Sequence, residues 1–350
     1  MKILVTGTAG FIGFHLANRL ATEGHNIIGI DSINNYYDVT LKSNRLAEAG
    51  FDAGLIAYNS KVQSSKFPNY SFIQLQMEDA ASLQLLFTIE KFDIVINLAA
   101  QAGVRYSLTH PAAYINSNVV GFANLLECCR HFGIKHLVYA SSSSVYGLNE
   151  QVPFATTHST NHPASLYAAT KKSNELMAHV YSHLFNMPVT GLRFFTVYGP
   201  WGRPDMAPFL FTDAILHDKP IKVFNNGNMM RDFTYIDDVV EGVARVMKSA
   251  PEPNPNWDAT NPDASYSSAP YRLYNIGNNK PVALIDFISC IENVTGKKAI
   301  KEMLPLQLGD VQATFADTIG LQEDFDYKPS TTLQEGIEKF IRWYKIYYKN

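Results

Sequence analysis

Charge is scarce in this chain, and cysteine scarcer. Only 17% of the 350 residues are charged, with 29 Lys and Arg against 32 Asp and Glu, for a net charge of −3. That leaves no basic excess to neutralise a phosphate backbone, which argues against a nucleic-acid partner. The 3 cysteines are badly spaced for cross-links, because Cys128 and Cys129 are neighbours on a helix-like stretch and Cys290 is remote. Such a set fits neither a disulfide framework nor a zinc site, so the thiols are read as packing residues and no metal is expected. No run approaches the roughly 18 unbroken apolar residues of a membrane span. Met1 leads straight into a strand-like run, without a basic and apolar leader. The expectation is a cytoplasmic protein with no membrane partner. Internal repeats and low-complexity segments are also missing.

Regular alternation is present. With 46% hydrophobic residues the chain can bury one large core or two modest ones. Short apolar runs near 2–6, 26–30, 71–75, 93–98, 136–141 and 188–193 alternate with helical segments, which predicts an α/β protein with a doubly wound, mostly parallel sheet. Segment 40–68 reads as an irregular insertion with one helix near Leu41 to Ala49. Beyond Gly199-Pro200 the regularity weakens toward a smaller mixed α/β C-terminal substrate domain. Residues 250–270, rich in proline, read as a loop. The expected division is 1–195, with about 235–250 and 271–277, as the nucleotide-binding domain, and 196–234 with about 278–335 as the second.

Directly behind Lys2-Ile3-Leu4-Val5 stands Thr6-Gly7-Thr8-Ala9-Gly10-Phe11-Ile12-Gly13. A buried strand, three glycines at three-residue spacing and the start of an amphipathic helix make a Rossmann-type dinucleotide site. Gly7 allows the turn, Gly10 the approach of a pyrophosphate, and Gly13 close helix packing. About 20 residues on, Ile27 to Ile30 ends in Asp31, placed to grip a ribose 2′-OH and to repel a 2′-phosphate, so the expected cofactor is NAD. Tyr167-Ala168-Ala169-Thr170-Lys171 puts a phenol and an ammonium on one helix face, where the cation is expected to lower the phenol's pKa and make it a general base. In a chain with 19 tyrosines that spacing arises by chance. Its position tells against chance, because it follows a strand ending in Ser141-Ser142-Ser143-Ser144-Val145-Tyr146-Gly147, and ligands bind beyond such strand ends.

With Asp31 to Asp38, Gln101-Ala102-Gly103-Val104-Arg105-Tyr106, Ser141 to Gly147, Arg193 to Met206 and Arg231 to Asp238, the chain resembles extended short-chain dehydrogenase/reductases of the nucleotide-sugar epimerase group nearly end to end. The combination is most similar to UDP-glucuronate 4-epimerases. The resemblance implies Tyr167 as base, Lys171 as its partner and ribose ligand, and Ser142 as the hydroxyl on the reacting C4 oxygen. It places Gly7, Gly10, Phe11 and Ile12 at the pyrophosphate, Asp31 and Asn35 at the adenosine ribose, and Gly13, Leu98, Ala99, Ala100 and Phe194 along the cofactor. Where the family has an acid near the adenine this chain has Gln76, followed by Met77, and Ser32 stands where the family has Asn.

The resemblance further implies that Ser143, Ser144 and Thr196 hold a sugar carboxylate, where related dehydratases carry an Asp-Glu pair and decarboxylases a Glu. Arg203 and Arg231 would clamp the diphosphate, Asp310 would meet the uridine ribose, and Arg105 would face the sugar. Trp201 would either cover the pocket or simply pack. Helices 118–133 and 167–186 would form a homodimer. A UDP-uronic acid substrate turned over through a 4-keto sugar is the expectation. The rivals are a UDP-hexose 4-epimerase, a UDP-glucuronate decarboxylase and a non-catalytic NAD-sensing protein, the last disfavoured by the complete Ser142, Tyr167 and Lys171 set.

Overall fold

In a computed structural model, which describes residues 1–307 and 312–349, the N-terminal alternation becomes strands β1 (Lys2–Thr6), β2 (Asn26–Asp31), β3 (Lys61–Gln63), β4 (Tyr70–Gln74), β5 (Ile94–Asn97), β6 (His136–Ser142) and β7 (Val189–Phe194). Three further strands, β8 (Thr196–Tyr198), β9 (Pro220–Val223) and β10 (Met230–Tyr235), precede β11 (Tyr271–Ile276). The main sheet has the order β11-β7-β6-β5-β1-β2-β4-β3. Every pairing in it is parallel except β3 on β4. The chain therefore returns to the first sheet at Tyr271. The short edge strand β3, inside a segment expected to be irregular, escapes a periodicity reading because only Val62 of its three residues is buried.

Parallel strands must bury both faces, and β1 does so. Ile3 and Val5 join one apolar cluster with Phe11, Leu16 and Val240, while Leu4 joins another with Ile28, Leu83 and Leu125. The strand order reverses beside β1, with β2 on one side and β5 on the other. Clefts open beyond the carboxyl ends of strands at such a reversal.

The second region is a small sheet in which β10 pairs with β8, with β12 (Pro281–Ala283) and, past β13 (Ile300–Met303), with β14 (Ala313–Thr314). Asp232 on β10 is fully buried, and its carboxylate accepts from the backbone N–H of Ala316, Asn278 and Asn279 at 3.0, 2.7 and 3.0 Å. Two loops of this region are thereby fastened to one strand. Among the described residues no helix is long and apolar enough to cross a membrane.

Candidate active site

The glycine loop is shaped by contacts that leave no space for side chains. Gly7 has φ +78°, and a Cβ there would lie 2.9 Å from the backbone N of Ala99. A Cβ on Gly13 would lie 2.1 Å from the carbonyl oxygen of Gly7. The helix Phe11–Thr22 starts at Gly10 with no side-chain cap, so its first N–H groups are left for an anion. Thr6 Oγ1 accepts from Ala99 N at 3.0 Å and donates to Asn97 Oδ1 at 2.6 Å, which holds the end of β5 against the loop. Asp31 accepts from Ala9 N at 3.1 Å and Ile33 N at 2.8 Å. This cradle fits a dinucleotide pyrophosphate with its ribose at Asp31.

One cavity of about 1170 Å³ runs from this loop to the second region. That exceeds the roughly 300–1,000 Å³ of a single small-molecule cleft, so there is space for two ligands end to end. Its walls include Gly7, Gly10, Phe11, Ile12, Gly13, Asp31, Met77, Leu98, Ala99, Ala100 and Phe194, then Ser142, Ser143, Ser144, Tyr167, Lys171 and Thr196, then Arg105, Arg203 and Arg231. Cations from Lys42, Arg105, Lys171, Arg203, Lys219, Lys222 and Arg231 outnumber the carboxylates of Asp31, Glu78, Asp205 and Asp213 among the described lining residues. In a chain of net charge −3, this concentrates positive potential where a polyanion would enter.

Two expected residues stand outside the cavity. Asn35 is exposed and turned away, while its neighbour Asn34 lines the wall and accepts from Lys42 Nζ through both O and Oδ1 at 2.7 Å. Gln76 is likewise exposed, because alternation past β4 turns Leu75 and Met77 inward, and the acid at this end is Glu78. Trp201 does not line the cavity; it packs on Phe14 at 5.6 Å and Trp343 at 5.3 Å. Asp310 lies outside the described residues.

Tyr167 and Lys171 sit on the helix Leu166–Phe185, which starts where the Ser165 side chain accepts from Ala168 N. Burial pushes the Tyr167 phenol above its ordinary value, opposed by a hydrogen bond with Ser142 and by the charge of Arg203. Burial also brings Lys171 down to about 8, and its Nζ donates to the carbonyl of Ala140 at 2.9 Å. The expectation that Lys171 lowers the phenol is corrected here. The same desolvation weakens both charged forms, and the counterweights on Tyr167 are Ser142 and Arg203. Ser142 Oγ donates to Ser144 Oγ at 3.1 Å and accepts from Ser144 N at 3.2 Å.

At the far end, Arg203 is paired. Its Nε donates to Asp205 Oδ1 at 3.0 Å, its second nitrogen to Asp205 Oδ2 at 2.5 Å, and Tyr36 OH donates to Asp205 at 2.9 Å. Burial works against the guanidinium charge, but Asp205 holds Arg203 above its ordinary value. Arg105 stacks over the Phe224 ring at 4.8 Å, across the mouth. Arg231 donates to the carbonyls of Met230 and Gln312 at 2.8 and 3.1 Å.

Sequence reasoning missed Lys42, Glu78, the Tyr36–Asp205 contact and Asn118. Asn118 lies in a π-helical turn, Ile115–Val120. It accepts from Gln101 N at 2.7 Å and donates to Gln101 O at 3.0 Å and Thr170 Oγ1 at 3.1 Å, joining the loop after β5 to the Tyr167 helix. The only sequence signal was a polar residue inside a helical run.

The family pattern described as NAD dependent epimerase/dehydratase matches residues 3–259. Protein CapI of Staphylococcus aureus is 56% identical, with 100% of each chain covered. A probable UDP-glucuronate 4-epimerase of Rhizobium meliloti (strain 1021) is 46% identical over 100% of this chain and 98% of that protein. The crystal structure of UDP-glucuronic acid 4-epimerase from Bacillus cereus, in complex with UDP-glucuronic acid and NAD, superposes with a TM-score of 0.82 at 32% identity, covering 99% of this chain and 100% of that one. A glycine loop closed to side chains, Ser142, Tyr167 and Lys171 on one cavity wall and this extent of likeness lead to one conclusion: the chain belongs to the NAD dependent epimerase/dehydratase family.

Proposed function

We propose that this protein is an isomerase, an NAD-dependent 4-epimerase that interconverts UDP-glucuronate and UDP-galacturonate. The observation that carries the reading is that Ser142, Tyr167 and Lys171 line one cavity wall whose neighbouring positions, Ser143, Ser144 and Thr196, are all neutral hydroxyls. The relatives named above as UDP-glucuronate 4-epimerases support it.

NAD, when bound, supplies the acceptor and then the donor of a hydride at sugar C4. Gly7, Gly10, Phe11, Ile12 and Gly13 hold its pyrophosphate, Asp31 and Asn34 its adenosine ribose, and Met77 with Leu98 to Ala100 and Phe194 its ring faces. Tyr167 takes the C4 hydroxyl proton, Ser142 keeps that oxygen in line, Arg203 offsets the phenolate charge, and Lys171 holds the ribose. The product of this oxidation is a 4-keto uronate, a β-keto acid prone to lose CO2. Ser143, Ser144 and Thr196 donate to its carboxylate, holding the C5–C6 bond out of overlap with the ketone and supplying no strong acid or base. Arg203, Arg231 and Arg105 clamp the diphosphate and sugar oxygens. The two-lobe division expected from the sequence belongs to the same reading, with residues after Phe195 closing the nucleotide-sugar site.

A homodimer belongs to the same proposal. Leu176, Val180 and Leu184 expose an apolar stripe at four-residue spacing on the Tyr167 helix, suited to a second copy. The cysteines are free and buried, as a reducing compartment keeps them, which supports a cytoplasmic location. Replacing Tyr167 with Phe tests the chemistry: turnover of UDP-glucuronate is expected to fall by about 10³-fold with NAD binding retained. Near-normal turnover in that variant would remove Tyr167 as base.

A further inference from the structure

Tyr167, Lys171 and Glu175 succeed one another at four-residue spacing on one face of the Leu166–Phe185 helix. The first two reach the cavity and the third does not. Glu175 points into the protein, where Oε1 accepts from Ser141 Oγ at 2.7 Å and from Arg193 Nε at 2.8 Å. Its Oε2 accepts from the second guanidinium nitrogen at 3.0 Å and from Lys172 Nζ at 3.3 Å. Arg193, fully buried on β7, uses its remaining nitrogen on Tyr146 OH at 3.1 Å and the carbonyl of Thr156 at 3.3 Å. Tyr146 in turn donates to Asn275 Oδ1 on β11 at 2.6 Å. Every heteroatom of this ion pair is engaged.

The partners are placed with regard to the reaction. Ser141 directly precedes Ser142. Tyr146 closes the short helical turn Ser143–Tyr146 that carries Ser143 and Ser144. Arg193 stands three residues before Thr196. One ion pair thus joins the helix that bears Tyr167 and Lys171 to the strand end that bears Ser142 and to the strand that leads to Thr196. Two apolar side chains of equal volume would be about as stabilising, since desolvating a buried pair offsets most of its attraction. What apolar packing would not supply is a fixed direction between helix and strand.

We propose that Glu175 and Arg193 are positioning residues for the epimerase site, setting how Ser142 faces Tyr167 and the aim of Ser143, Ser144 and Thr196 without touching a ligand. For turnover this rests on the reaction proposed above; for the placement of Ser142 against Tyr167 it does not. The carboxyl chemistry agrees with a permanently charged pair. Burial works to raise Glu175, yet Arg193, with Lys172 and Ser141, holds it below its ordinary value.

The test compares the NAD-loaded wild type with Glu175→Leu/Arg193→Met. Four readouts are taken: thermal unfolding, NAD binding, kcat and KM for UDP-glucuronate, and the pH titration of the Tyr167 ¹³Cζ resonance, assigned with Tyr167→Phe. A folded, NAD-binding variant is expected to lose about 100-fold in kcat with KM changed by less than about threefold, the pattern of misplaced catalytic groups. Its Tyr167 is expected to titrate higher, because a displaced Ser142 hydroxyl no longer opposes the effect of burial. Unchanged kcat and unchanged Tyr167 titration in a folded variant would overturn the proposal. If the double variant does not fold, Glu175→Gln takes its place, with the same shifts expected at about a tenth of the size in kcat, and unchanged values again overturning it. Should the wild type not turn over UDP-glucuronate, the proposed reaction fails while the titration still decides the positioning role.

Discussion

At the cofactor end of the cavity the chain works with backbone, whereas at the sugar end it works with side chains already paired to one another. Gly13 and Gly7 face backbone atoms that a Cβ would meet at 2.1 and 2.9 Å, and nothing there can turn aside. Arg203, by contrast, rests on Asp205, and Asp205 on Tyr36, through side-chain hydrogen bonds that a ligand can rearrange. A dinucleotide presents the same pyrophosphate at every turnover, so a rigid mould suits it. A sugar that is oxidised to a ketone, turned within the site and reduced from its other face needs contacts that exchange. On the proposed reaction, the rigid end suits the hydride store and the adjustable end the changing substrate.

The contrast breaks most visibly at Gly13. Ala at this position forces the loop and helix apart, with strain of roughly 1–3 kcal/mol, and is expected to weaken NAD binding by about tenfold to a hundredfold. Isothermal titration of the NAD-free variant measures this, and wild-type affinity would show that the loop yields. A smaller effect is expected at the other end. Asp205→Asn removes one charge from the Arg203 fork while keeping an acceptor for Tyr36, and should lower KM for an anionic UDP-sugar by about threefold, the scale of one screened charge. An unchanged or higher KM in steady-state kinetics would mean that Asp205 aims Arg203 and does not restrain it.

The same contrast explains what was legible. The glycine loop, Asp31, and the Tyr167–Lys171 spacing are local, so strand and helix periodicity located them and predicted the parallel sheet around them. Just past strand ends, local reasoning slips by one or two residues: the wall carries Asn34 and Glu78 where Asn35 and Gln76 were expected, because loop direction is set by packing and not by alternation. Lys42 folds back onto Asn34 from the next helix. Pairs such as Tyr36 with Asp205, or Glu175 with Arg193, join segments from different elements, and neither member carries a motif that names its partner. Burial, too, was invisible, and with it the rise of the Tyr167 phenol.

The central claim is that one cavity keeps both the hydride and the carboxylate through a full cycle. UDP-glucuronate deuterated at C4, incubated with the purified protein and followed by NMR, tests it directly. UDP-galacturonate that retains deuterium at C4 is expected, with no UDP-pentose formed. Loss of the label to solvent, or a decarboxylated product, would contradict it.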